Sequence, residues 1–134
     1  LTAVLLEYPG CEDCEALHRN AIARSSVYDQ LEQYQVVRFD ATSDKPLTLS
    51  DGRSITPAKW VAELGVTYYP TTILLDEFGT ERFRVGGYVQ SFHYATALEY
   101  VSRKGYEQFP EFKRFLNDRA DRLRTRGSKV VITE

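Results

Sequence analysis

The sequence predicts an α/β fold in which a mixed central β-sheet carries helices on both faces. Short apolar segments alternate with amphipathic segments along the chain, which is typical of strands joined by helices. The first strands are connected in this way, so they are predicted to be parallel with right-handed crossovers. The turn Glu77-Phe78-Gly79 instead joins two strands directly, which predicts that those strands are antiparallel.

The predicted strands are short apolar or alternating runs between turn-forming residues. They span residues 2–8, 35–40, 72–76 and 80–85. The predicted helices carry apolar side chains at three- and four-residue spacing. They span about residues 11–23, 25–34, 57–65, 91–104 and 110–126. The order is strand, helix, helix, strand, helix, strand, strand, helix, helix, and it predicts a single domain.

Local signals mark several element boundaries. Ser26, with Asp29 three residues later, resembles an N-cap arrangement, and Thr56-Pro57 predicts a helix start with proline at the first helical position. Residues 44–55 are predicted to form an inserted hairpin or loop with Asp51-Gly52 as a two-residue turn. The domain core is predicted to cover residues 2–103, and residues 106–134 are predicted to form a C-terminal helical extension.

Size and charge exclude several classes of partner. The chain has 134 residues and a net charge of −2, so it can bury a core without disulfide staples and gives no indication of nucleic-acid binding. The charged residues of the last helix, Arg119 among them, are interpreted as a solvated face. No apolar run approaches the roughly 18 residues needed to cross a bilayer, so we expect no membrane insertion, and we expect a monomer.

Because the chain begins at Leu1 and contains no methionine, we expect a processed or trimmed N-terminus, and the missing signal peptide says nothing about export.

The chain has two cysteines, Cys11 and Cys14, at the predicted junction of the first strand with the first helix. A zinc site is disfavoured because His18 and His93 are far apart in sequence, and haem attachment because Glu15 stands where histidine is required. An inert structural pair remains an alternative. A redox role is favoured because the first cysteine falls at a helix N-terminus, where unpaired N–H groups stabilise the thiolate that attacks disulfides. The second cysteine, one turn further in, is expected to be more buried. No metal or organic cofactor is expected.

The element order, the Cys-x-x-Cys at the first strand–helix junction and the later Pro-Thr strand entrance together resemble the thioredoxin superfamily over about residues 2–103. In detail the chain is similar to exported bacterial thioredoxin-like thiol–disulfide interchange proteins, including those linked to sulfur oxidation. The segments that carry this similarity are Glu7-Tyr8-Pro9-Gly10-Cys11, Leu17-His18, Val37-Arg38-Phe39-Asp40, Leu64-Gly65-Val66, Pro70-Thr71 and Gly87-Tyr88. The resemblance implies the thioredoxin fold and a periplasmic or otherwise exported location.

The resemblance also implies roles for individual residues. Cys11 would form a mixed disulfide with the substrate and Cys14 would resolve it. Pro70 is expected to be cis and to face the cysteines, and the backbone of Tyr69 would pair with the substrate chain. Tyr69 would also form an aromatic rim for peptide contact, together with Tyr8 and Tyr68. Ordinary packing of these rings is the alternative.

Glu7 precedes Cys11 by four residues, on a strand that should be buried. A carboxylate there could carry the proton of Cys14. An acidic residue of thioredoxin serves this purpose from a position two residues earlier, where Leu5 stands here. The alternative is a carboxylate that reaches solvent or pairs with a basic side chain. His18 lies on the apolar face of the first helix and is interpreted as a core histidine rather than a catalytic one.

The chain departs from the thioredoxin pattern at positions that bear on activity. Gly10 replaces the tryptophan before the first cysteine, and the bulky Tyr69 stands before the proline. Glu12 and Asp13 lie between the cysteines. At about 7 Å, a carboxylate raises the cost of charging a thiolate by roughly 0.6 kcal/mol in water. Two such charges would about cancel a helix-dipole benefit of roughly 0.3–1 kcal/mol. A reducing or intermediate potential is therefore expected.

These observations predict a thiol–disulfide oxidoreductase that acts on protein disulfides through the cysteine pair, more specifically a reductase. The expected partners are a protein substrate with a disulfide or thiols and a redox partner protein. A net oxidant or isomerase is one alternative. A redox-inactive thioredoxin-fold binding module is another.

Overall fold

The computed structural model describes residues 1–49, 51–127 and 130. Along the chain the elements are β1 (Thr2–Glu7), α1 (Glu12–Leu17), a π-helical turn (His18–Ile22), α2 (Ser25–Leu31), β2 (Gln35–Asp40), β3 (Leu47–Thr48), β4 (Ser54–Ile55), α3 (Pro57–Glu63), β5 (Thr71–Leu75), β6 (Glu81–Gly86), α4 (Ser91–Ser102), α5 (Gly105–Gln108) and α6 (Phe112–Thr125).

The central sheet has the strand order β2-β1-β5-β6. β1 is parallel to β2, whereas β5 runs antiparallel to both β1 and β6. The register pairs Glu7 with Asp40 and Leu6 with Thr71. The ends of β1 and β2 and the start of β5 therefore meet at one edge of the sheet. The parallel pairing of the first two strands and the antiparallel hairpin are confirmed.

Helices cover both faces of the sheet because side chains alternate along β1. Ala3 and Leu5 face a core that is formed with α1, the π-helical turn, α2 and α4. Val4 and Leu6 face a second core, in which Val61 of α3 is buried. The predicted fold class, a mixed sheet between helical layers, is therefore confirmed.

α6 packs against α4 through the buried Phe115 and Leu116. Arg119, which the sequence places on a solvated face, is only 8% exposed. Its Nε donates to Glu99 Oε2 at 3.2 Å, and its Nη1 donates to Thr96 Oγ1 at 3.0 Å. Burial lowers the pKa of this guanidinium, whereas the Glu99 carboxylate raises it. The solvated-face interpretation of Arg119 is wrong because the acid that compensates it lies on another helix.

Several boundaries differ from prediction. Arg24, not Ser26, is the N-cap of α2, and it makes no side-chain cap. The tip of the predicted hairpin is a loop that is longer than the two-residue turn expected from the sequence. The Leu49 N–H donates to the Arg53 carbonyl, and Gly52 has a φ of +88°. Gly52 therefore occupies the left-handed position that follows a turn in longer hairpin loops. Residue 50 of this hairpin and residues 128, 129 and 131–134 of the predicted C-terminal extension lie outside the described residues.

Candidate active site: the Cys11–Cys14 disulfide

A tight turn places the cysteine pair at the end of β1. The Cys11 N–H donates to the Tyr8 carbonyl at 3.2 Å, and Gly10 within this turn has a φ of +81°. Side chains rarely adopt that conformation, which explains a glycine where thioredoxin has tryptophan. Cys11 is the N-cap of α1, and it is joined to Cys14 by a disulfide with a Cα–Cα distance of 5.2 Å.

The first turn of α1 presents a hydrogen-bond donor to Cys11. The backbone N–H of Cys14 donates to Cys11 Sγ at 3.1 Å. This group is one of the N–H groups at a helix start that have no partner within the helix. A negative sulfur at the same position would accept a stronger, charge-assisted bond. The backbone therefore favours a thiolate on the first cysteine when the pair is reduced.

Both cysteines are 3% exposed in the disulfide form. The prediction that Cys14 is the more buried of the two is therefore wrong for this form, because the covalent bond draws both sulfur atoms into the same packing. The cysteines differ in the depressions that they line. Cys11 contributes both to a groove of about 680 Å³ and to a depression of about 350 Å³, whereas Cys14 contributes only to the groove.

Glu7 lines a groove with both cysteines, and it lies on the same face of β1 as Ala3 and Leu5. It is 7% exposed. His18 Nε2 lies 3.0 and 2.8 Å from its two carboxylate oxygens. Arg38 of β2 donates to the same oxygens, from Nε at 3.1 Å and from Nη2 at 3.4 Å. The alternative that Glu7 pairs with basic side chains is therefore realised, and these partners line one groove with both cysteines.

His18 is not a core histidine. Its side chain is 30% exposed, and the same groove brings it together with both cysteines. It begins the π-helical turn, which the sequence did not predict. Single π-helical turns within α-helices occur frequently at functional sites. Two signals could have revealed the contact with Glu7: the alternation along the first strand and the four-residue spacing from Cys14.

Tyr94 of α4 is a further buried polar group near this network. Its hydroxyl lies 2.8 Å from Thr72 Oγ1. Burial raises the pKa of Tyr94, the hydrogen bond with Thr72 lowers it, and the charge of Glu7 raises it further. Tyr94 therefore remains a neutral hydroxyl, and we assign it no acid–base role.

Pro70 lies at the same edge of the sheet, directly before β5. The Tyr69–Pro70 peptide bond is cis, and the proline carbonyl accepts a hydrogen bond from the Gly87 N–H at 2.7 Å. Pro70 itself is fully buried. Within the described residues, the backbone of Tyr69 makes no hydrogen bond to another backbone group.

Two of the three tyrosines of the predicted aromatic rim are in contact. The rings of Tyr8 and Tyr69 meet edge to face at 5.5 Å, and they line the smaller depression with Cys11. Tyr8 is 41% exposed, and partial burial raises the pKa of Tyr69. Tyr68 is 71% exposed but does not line either depression beside the cysteines. Glu12 and Asp13 line the smaller depression as well, and both are exposed.

The described part of the chain shows neither a metal-binding cluster nor a membrane-spanning helix. Among residues 1–49, 51–127 and 130, no cluster of three or more histidine, cysteine or acidic side chains could hold a metal ion. None of the helices in the described part of the chain is long and apolar enough to cross a membrane.

The fold and the site together define the class of protein. A mixed sheet with helices on both faces carries a Cys-x-x-Cys disulfide at its first strand–helix junction, beside a cis proline at the start of a neighbouring strand. A family model described as a thioredoxin-like domain matches residues 2–102, well over half of the chain. The chain therefore belongs to the thioredoxin-like family. A search of curated proteins finds no significant match.

Solved structures agree with this fold. A thioredoxin-fold protein from Helicobacter pylori matches with a TM-score of 0.74 at 14% identity, over 90% of this chain and 84% of that one. The reduced DsbD C-terminal domain of Neisseria meningitidis matches with a TM-score of 0.58 at 13% identity, over 75% of this chain and 79% of that one. At these identities the similarity shows the fold alone.

Proposed function

We propose that the protein is a thiol–disulfide oxidoreductase that acts on protein disulfides through Cys11 and Cys14. The observation that carries this proposal is the disulfide at the N-cap of α1, with a backbone N–H directed at Cys11 Sγ. A structural disulfide would not need such a donor. A redox pair needs it, because the thiolate is the attacking species.

The reaction consists of two exchanges. The Cys11 thiolate attacks one sulfur of a substrate disulfide, a Cys11–substrate bond forms, and the other substrate sulfur leaves as a thiolate that takes up a proton. Cys14 then loses its proton and attacks Cys11 Sγ. The intramolecular disulfide forms, the second substrate thiol is released, and two electrons have passed to the substrate. A redox partner protein returns the pair to the dithiol form.

The direction we propose is reduction of the substrate. Glu12 and Asp13 are both exposed, so the weak interaction expected in water applies to each of them. Their charges still oppose the thiolate, and a less stabilised thiolate makes the reduced pair a better reductant. A potential near −120 mV, the value for the strong oxidant DsbA, would contradict this direction and favour a net oxidant.

Tyr69 is proposed to hold the substrate. Tyr69 lines the smaller depression with Cys11, and within the described part of the chain its backbone makes no hydrogen bond to another backbone group. An extended substrate could pair with this backbone as an added strand, with its disulfide over Cys11. The edge-to-face rings of Tyr8 and Tyr69 would contact its side chains. The exposed Tyr68 would extend this rim.

Turnover of insulin disulfides with dithiothreitol as the reductant tests the proposal. We expect activity from the native chain and none from Cys11→Ser. Cys14→Ser should arrest the mixed disulfide on Cys11, so a covalent insulin adduct should accumulate and disappear on reduction. No turnover by the native chain, together with no adduct on Cys14→Ser, would contradict an enzymatic role.

A redox-inactive binding module is the second candidate. The low exposure of Cys11 favours it, because an attacking sulfur must be reached by its target. The two depressions that Cys11 lines favour the enzyme instead. The insulin assay separates the two candidates.

The periplasmic or exported location, the monomeric state and the protein partners remain predictions. Fractionation of cells that express the native gene product would test the location. Adducts isolated from such cells on Cys14→Ser, and identified by mass spectrometry, would identify the partners.

A further inference from the structure

Cys14 must lose a proton during the second exchange, and it has little contact with solvent. It is 3% exposed, and it lines the groove that also contains Glu7, His18 and Arg38. Direct transfer to water is therefore restricted. A side chain in the groove is the simplest proton acceptor.

His18 is the residue in the groove that follows Cys14 by one helical turn. Its backbone N–H donates to the Cys14 carbonyl, so these two residues are one α-helical turn apart on the same face. Long side chains on a helix lean towards its N-terminus and cover the preceding turn. We therefore expect the imidazole of His18 to lie over the turn that contains Cys14.

The hydrogen bonds of the imidazole place one of its protons. A carboxylate accepts hydrogen bonds and donates none, so the contact between Nε2 and the Glu7 oxygens places a proton on Nε2. Arg38 can only donate, and its two bonds hold the same carboxylate in position. The ring makes no other hydrogen bond to the described residues. In the neutral imidazole, Nδ1 is therefore an unprotonated acceptor.

We propose that His18 Nδ1 takes the proton of Cys14 as Cys14 attacks the mixed disulfide, and that Glu7 positions the imidazole for this step. The S–H bond of Cys14 breaks, an N–H bond forms at Nδ1, and the Cys14 sulfur bonds to Cys11 Sγ. The electron pair of the Cys11–substrate bond leaves with the substrate sulfur. The imidazolium then returns its proton to that thiolate. This inference rests on the proposed function, because it concerns the second of the two exchanges.

A chromogenic disulfide separates the two exchanges. One molecule of dithiobis(nitrobenzoate) releases one nitrothiobenzoate when Cys11 attacks and a second when Cys14 resolves the adduct. His18→Gln keeps an N–H donor for Glu7 but has no basic nitrogen. In a single turnover of the reduced protein, we expect an unchanged first phase. The second phase should be slower by a factor of roughly ten or more. General bases typically accelerate a reaction by about 10²–10⁴-fold.

Two further variants complete the experiment. His93→Gln changes the other histidine, which packs on Phe112 of α6, and it should leave both phases at the native rate. Imidazole added to His18→Ala should accelerate the second phase, which a purely structural role of His18 would not allow. Glu15 and Arg19 also line the groove, so the variants are compared at one ionic strength.

The outcomes separate this inference from the proposed function. A native chain that releases no nitrothiobenzoate would contradict the oxidoreductase itself. A native chain with two phases, together with a native second phase in His18→Gln, would overturn the role of His18 alone. Equal slowing of both phases would also overturn it, because that result indicates general damage to the site.

Discussion

The buried ion pair between α4 and α6 gives a quantitative prediction of stability. Arg119→Met removes the guanidinium and retains an apolar chain of similar length. The variant loses the 3.2 Å contact with Glu99, the 3.0 Å bond to Thr96 and the position over the Phe92 ring. Glu99 is itself 7% exposed, and Arg122 at 3.4 Å is the remaining cation that pairs with it among the described residues.

The loss of stability follows from the Glu99 carboxylate, which stays buried without its closest cationic partner. Removal of one partner of a buried ion pair typically destabilises a protein by about 3–5 kcal/mol. Arg122 still reaches the carboxylate but is 40% exposed, so it compensates only in part. We therefore expect a loss of about 3 kcal/mol in the free energy of unfolding. The combined variant Arg119→Met with Glu99→Gln should recover part of the loss, because no unpaired charge stays buried.

Urea denaturation followed by circular dichroism measures these differences. Arg114→Met is the matched control, because Arg114 is exposed on the same helix, and it should change the free energy of unfolding by less than about 0.5 kcal/mol. A loss below about 1 kcal/mol for Arg119→Met would refute the reasoning. It would mean that water reaches Glu99 despite its low exposure.

Four other outcomes are expected. Glu7→Gln should slow only the second nitrothiobenzoate phase, because a neutral amide holds the imidazole less firmly than the carboxylate does; an unchanged phase argues against the positioning role. Glu12→Gln with Asp13→Asn removes about 1.2 kcal/mol of repulsion, so the potential measured against glutathione should rise by about 25 mV, and a fall would contradict the proposed effect of the acids. Peptide disulfides flanked by lysine should react about 2- to 5-fold faster than glutamate-flanked ones, a preference that should disappear at 1 M salt; equal rates at low salt would exclude an electrostatic contribution. Burial raises the pKa of Asp76, but hydrogen bonds from a guanidinium and two backbone N–H groups outweigh it and hold the pKa below 3.8. The stability advantage over Asp76→Asn should therefore be complete near neutral pH and shrink as the pH falls below that value, and a constant difference in urea titrations would contradict this assignment.

The sequence was informative wherever one short segment determines the structure. Apolar runs and breakers located the four central strands, and Thr56-Pro57 marked the start of α3 correctly. The spacing of Cys11 and Cys14, together with their place after the first strand, indicated the disulfide. Each of these signals lies within a few neighbouring residues.

The features that the sequence did not reveal depend on contacts between distant segments. Arg119 is polar and follows the charge pattern of its helix, so only the position of Glu99 on another helix explains its burial. The contact of His18 with Glu7 requires the segment that carries His18 to pack against β1. The equal burial of both cysteines follows from the bond between them, which residue spacing does not describe.

The alternation of side chains along β1 couples the chemistry of the site to the packing of the core. Glu7 meets His18 because it is in the same row as Ala3 and Leu5. A one-residue insertion in this strand would turn the carboxylate towards the apolar layer around Val61. We therefore expect relatives to keep the length of β1, because it determines which face of the sheet carries the carboxylate. Variation in chain length should instead accumulate in the β3–β4 hairpin, which is a separate two-stranded sheet.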